Sequence, residues 1–96
     1  METTVNHDKD NQEFSITLEN DQAELAYSLP KDNVMNFQHT FVPENFRGKG
    51  VAFQLIKTGL EYAQNNNYKV IASCPIVAAY IRKHKEYEPL LDTYMI

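Results

Sequence analysis

Apolar and polar positions alternate through the first third of the chain, which marks it as strand-forming. Phe14, Ile16 and Leu18 alternate within Glu13 to Leu18, and Ala23, Leu25, Tyr27 and Leu29 alternate within the next run. Each segment therefore has one apolar face at the two-residue period of an extended chain. Thr3 to His7 predicts a shorter strand before them. Asn20-Asp21 predicts the turn between the two long runs, and Pro30-Lys31-Asp32-Asn33 predicts a second turn. A long strand follows from Val34 to Val42, with Met35, Phe37, His39 and Phe41 expected on one face and His39 thus among apolar neighbours.

The period then changes. Ala52, Leu55, Ile56, Gly59, Leu60 and Ala63 recur at three- and four-residue steps, the stripe of a helix from Ala52 to Gln64 lying against a sheet. Asn65-Asn66-Asn67 predicts its end, because asparagine tolerates the left-handed conformation found past many helix ends. Val70 to Ser73 is short and apolar, and Pro75 is a good first helical residue, so a buried strand is expected to feed a second helix from Pro75 to about His84 with Cys74 as its N-cap. Strand, helix and strand in this order predict two parallel neighbours joined by a right-handed crossover. The fold class is therefore α+β: a mixed, mostly antiparallel sheet of about five strands with two main helices, in the order β-β-β-β-α-β-α.

Ninety-six residues, 43% of them hydrophobic, suit a single domain over residues 1–96. Charge divides unevenly along them. Residues 1–46 hold nine acidic against two basic side chains, whereas residues 47–96 hold four acidic against seven basic. A small basic excess on a chain of net charge -4 fits one polyphosphate ligand better than a nucleic-acid duplex, which usually needs a broad basic face. The lone cysteine excludes an internal disulfide and a multi-thiolate metal site, which makes the cytoplasm the expected compartment. No apolar run approaches the roughly 20 residues of a membrane span, so no membrane partner is expected.

The candidate chemistry lies between the long strand and the first helix, at Arg47-Gly48-Lys49-Gly50-Val51-Ala52. A strand that empties through glycines into a helix start leaves backbone N–H groups at the positive end of the helix dipole, a ready phosphate site. The same glycines are equally compatible with an ordinary tight turn. Neither a Walker A loop nor a Rossmann fingerprint fits, because the lysine-serine/threonine ending and the third glycine are missing. Cys74 reads either as a small buried hydrophobe or as a thiol whose pKa a helix N-terminus lowers. Arg82, Lys83 and Lys85 suit the negative end of the last helix.

Two stretches, from His39-Thr-Phe-Val through Arg47-Gly-Lys-Gly-Val-Ala, and from Ala72-Ser-Cys-Pro to Tyr80 and on to Tyr87, together resemble the GCN5-related N-acetyltransferases. The likeness is to a small subfamily marked by a cysteine before the last helix. That resemblance implies acetyl-CoA as co-substrate and an amine acceptor, either a small molecule or a protein lysine or amino terminus; a non-catalytic acyl-CoA binding module is the alternative. It further implies that Arg47, Gly48, Lys49, Gly50, Val51 and Ala52 form the pyrophosphate loop and that Phe41 and Val42 lie beside the pantetheine arm. Cys74 and His39 are implied as nucleophile and base, and Tyr80 as the acid for the departing thiolate.

Overall fold

The computed structural model describes residues 4–92. Five strands, β1 (Asn6–Asp8), β2 (Glu13–Leu18), β3 (Asp21–Lys31), β4 (Val34–Phe41) and β5 (Lys69–Ala72), form one sheet in chain order. The first four run antiparallel, and β4 and β5 are parallel neighbours joined by helix α1 (Val51–Asn65). Helix α2 (Pro75–Lys83) follows β5, so the expected order of elements is the observed one. The chain then makes a 3-10 stretch, Lys85–Leu90, and Leu91 bridges Val70 in parallel on the outer edge of β5. That return was not expected from the sequence, where Pro89 and mixed polarity carry no strand signal.

Boundaries moved where turn chemistry was tighter than expected. The first turn is Glu19-Asn20, with Leu18 paired to Asp21 and Glu19 at φ 55°, so Asp21 already belongs to β3. The second closes at Asp32-Asn33, with Asn33 at φ 66°, and β3 reaches Lys31 through an irregularity around Pro30, which has no N–H to donate to a ladder. β1 begins at Asn6 rather than Thr3, which lies outside the described residues. Asn67 takes the left-handed conformation (φ 61°), and the Asn66 side-chain amide donates to the Tyr62 carbonyl at 2.8 Å, so the asparagine run does end α1.

The core lies between α1 and one face of the sheet. Phe14, Ile16, Leu25, Met35 and Phe37 meet Leu55, Ile56, Leu60 and Ala63 there, and α2 joins the same cluster through Val77, Tyr80 and Ile81. Gly59 permits the closest approach: a Cβ on it would stand 3.0 Å from Phe37 Cε1 and 3.2 Å from Leu25 Cδ2. Residues of the opposite face, among them Ala26, Ser28, Asn36 and Ile71, are only half-buried.

One irregularity decides what the site contains. Tyr27 pairs with Phe37 but Ala26 pairs with His39, so Gln38 is an extra residue in β4, a bulge. Past it the side-chain alternation is reversed. Thr40, opposite Leu25, takes the core-facing direction, while His39 and Phe41 turn to the other face and are exposed. The expectation that His39 continues the apolar face of Met35 and Phe37 is therefore wrong, because one inserted residue inverts a two-residue period.

Candidate active site

β4 and β5 separate where the site begins. Their ladder covers Val34 to Phe37 against Lys69 to Ala72, and the Cys74 amide adds one more bond by donating to the Phe37 carbonyl at 2.9 Å. Beyond that point the chain after β5 turns away into α2 while β4 runs on to Phe41. Among the described residues, no strand pairs with β4 on this side past Phe37.

The gap opens into a cleft of ≈ 440 Å³, within the usual range for small-molecule sites. Thr40, Phe41 and Val42 line it from β4 and its end, Ile76 lines it from α2, and Phe46, Arg47, Gly48, Gly50, Val51, Ala52 and Phe53 line it from the connection into α1. Seven of the eight residues expected to hold a coenzyme are thus gathered in one place. Lys49 is the exception: its Nζ lies 5.7 Å from the centroid of the Phe46 ring, a cation-π distance, and it is not part of the lining.

The loop is built by backbone conformation. Gly48 and Gly50 adopt φ 82° and 75°, and a Cβ on either would meet nothing within 4 Å, so glycine is required here by its left-handed conformation and the space above it is open. Arg47 ties the loop to the end of β4 by donating from Nε to the Val42 carbonyl at 3.1 Å. Gly50 is the N-cap of α1, where no side chain caps the first amides and no acidic residue stands in the first turn. Those amides have no acceptor within the helix, and the positive end of a 15-residue helix is left available to an anion.

Cys74 is the N-cap of α2, as expected, and is buried at 4% exposure. Its neighbour is Thr40: Oγ1 lies 3.3 Å from Sγ. Burial pushes the thiol pKa up, but the Thr40 hydroxyl, the Val77 and Ile76 amides and the Thr40 amide together outweigh burial and hold it below the ordinary thiol value. The helix amides act here by their orientation toward the sulfur, since no formal side-chain capping bond is made. The structure does not bring His39 to this thiol; the bulge puts Thr40 there instead.

Tyr80 is also buried and does not line the cleft. Its ring stacks on His84 at 4.0 Å between centroids and reaches Phe53, a lining residue, at 5.8 Å. Burial, followed by Glu86 and Glu61, raises its pKa, so it keeps its proton at neutral pH. Sequence reasoning missed Thr40, Phe46, Phe53 and Ile76. Two of them had a legible signal: Phe53 and Ile76 are large apolar residues off the buried stripes of their helices, and together with Phe41 they are among the few exposed large hydrophobics of the described chain.

Residues 13–90 match the family model described as GCN5-related N-acetyl-transferase. Protein NATD1 of Mus musculus is 30% identical over 82 residues, covering 83% of this chain and 74% of that protein. The N-acetylaspartate synthetase of Xenopus tropicalis is 40% identical over 60 residues, which cover 62% of this chain and 22% of the synthetase. Among solved structures, the solution structure of a GCN5-like candidate N-acetyltransferase from Staphylococcus aureus superposes with a TM-score of 0.74 at 31% identity, covering 93% of this chain and 87% of that one.

Proposed function

This chain belongs to the GCN5-related N-acetyltransferases, and from that premise we propose that it binds acetyl-CoA in the cleft and transfers the acetyl group to an amine. The observation that carries the reading is the pair of left-handed glycines at the uncapped start of α1, opening into a cleft beside an unpaired stretch of β4. When bound, acetyl-CoA supplies an activated acetyl thioester. The loop from Arg47 to Ala52 would receive its diphosphate through main-chain amides, and the free edge of β4 at Phe41 and Val42 would hydrogen-bond its amide-bearing arm as a strand would. Phe41, Phe53 and Ile76 would cover apolar parts of the same molecule.

Acceptor chemistry needs an amine without its proton and a group that keeps a proton until a thiolate leaves. Tyr80 satisfies the second requirement in protonation state, and its contact with Phe53 sets it one ring away from the cleft. Cys74 offers a second route, in which its thiol first accepts the acetyl group. Titration with coenzyme A, followed by the amide resonances of residues 47–52, tests the binding; undisturbed amides would remove this reading. A screen of amine and peptide acceptors with wild type and Cys74→Ala then tests turnover and separates the two routes.

A second reading, coenzyme binding without turnover, is favoured by one feature: among the described residues, Arg47 is the only ionisable one lining the cleft. Tight binding with no product from any amine would select it.

A further inference from the structure

Thr40 lines the cleft and brings its side-chain hydroxyl to the Cys74 sulfur. We propose that Thr40 is a positioning residue whose hydroxyl holds the Cys74 sulfur directly behind the cleft wall and stabilises it as a thiolate. The proposal rests on the functional reading above only for what the thiolate is used for, and its test does not depend on coenzyme binding.

The geometry carries it. Cys74 is fixed from both sides of the strand-to-helix junction: its amide is bonded to the Phe37 carbonyl in the sheet, and its carbonyl accepts from the Ala78 amide in α2 at 3.1 Å. The Cys74 backbone, and with it the origin of the side chain, is therefore held in place, and the sulfur is buried. The Gln38 bulge delivers Thr40 to it at 3.3 Å. A neutral thiol and a hydroxyl can each donate to the other, but a thiolate has no proton, so in the ionised form Thr40 must be the donor. Hydrogen bonds to ionised groups are stronger than neutral ones, which makes the contact favour ionisation.

Few other groups compete for this role. From β4 the sulfur is influenced by the Thr40 hydroxyl and amide, and from α2 by the Ile76 and Val77 amides; no charged side chain among the described residues contributes. His39, on the opposite face, does not share the task. A threonine hydroxyl does not titrate in the neutral range, so it would stabilise the thiolate at every pH at which the protein is folded. An imidazole would add its positive charge only while protonated.

The test uses the full chain labelled with 13C-cysteine. Cys74 is its sole cysteine, so the Cβ resonance followed against pH reports one thiol without any reagent having to reach it. Thr40→Val keeps the shape and removes the hydroxyl; its thiol midpoint is expected to rise by about one pH unit or more, a tenfold drop in thiolate at a fixed pH below the midpoint. Thr40→Ser is expected to titrate close to wild type. An unchanged midpoint in Thr40→Val overturns the proposal, and so does a Thr40→Ser midpoint that moves as far as the valine variant's, because the methyl group would then be responsible. Should Thr40→Val fail to give a folded amide spectrum, Thr40→Ala is read in its place with the same expectations. Coenzyme A added to the wild type gives the independent arm: silent amides at residues 47–52 would sink the acetyltransferase reading while leaving the Thr40 effect as measured.

Discussion

Replacing Gly59 by alanine sets two known effects against each other, and the structure decides which wins. In a helix interior, alanine is favoured over glycine by about 1 kcal/mol, so an open site would become more stable. Gly59 is not open. Its new methyl group would stand 3.0 Å and 3.2 Å from two atoms of the Phe37 ring and 3.2 Å from Leu25 Cδ2, closer than ordinary carbon contacts. Neither neighbour can retreat, because both are fully buried and the Phe37 ring is itself packed near Phe14 and Tyr27 at centroid distances of 6.4 Å and 6.2 Å. Overpacking of this kind typically costs roughly 1–3 kcal/mol, which leaves a net loss of up to about 2 kcal/mol after the helix gain. For a chain of this size each 1 kcal/mol lowers the melting temperature by roughly 4–8 °C. Urea unfolding of wild type and Gly59→Ala measures the difference directly. A variant more stable than wild type would refute the close packing of α1 on β3 and β4. Because α1 carries Gly50 at its start, displaced helix packing should also weaken coenzyme A binding, which calorimetry on the same samples would show.

Gly50→Ala meets no atom within 4 Å, so its cost is conformational alone, roughly 1–2 kcal/mol for a left-handed alanine, and coenzyme A affinity should fall as the loop relaxes. Calorimetry and thermal melting check the two effects separately. Arg47→Met removes the bond from Nε to the Val42 carbonyl and is expected to weaken coenzyme A binding with little change in stability, the side chain being exposed; unaltered affinity would show that the tether does not shape the loop. Stability should also depend on His7, which is stacked on Phe14 and lies 2.6 Å from the Tyr27 hydroxyl. Burial, then Lys9, lowers its pKa below the ordinary 6.5, against a smaller opposing effect of Asp8. The unfolded chain therefore takes up this proton first, so the contribution is whole above about pH 6.5 and is lost as pH falls toward the lower folded value. Denaturant midpoints of wild type and His7→Gln across that window should differ in slope, and parallel curves would count against the assignment.

Much of this protein is written locally. The change from a two-residue to a three-to-four-residue apolar period at Ala52, the glycines at 48 and 50, the asparagine stop and the proline opening α2 each act through the backbone of a few neighbouring residues. They were legible without any knowledge of distant contacts, and with them the order of elements and seven of the residues that line the cleft. Tertiary structure decided the rest. Gln38 carries no bulge signal of its own: the extra residue exists because β3 and β4 must stay paired on both sides of it, and pairing is a property of two strands. That single register shift exchanges His39 for Thr40 beside Cys74, so the residue types near the thiol could be read from the chain, but which of them faces it could not. The same holds for the return of Leu91 to Val70 and for the placement of Tyr80 behind Phe53. Each depends on elements far apart in sequence being packed on one core before the local pattern has any direction in space.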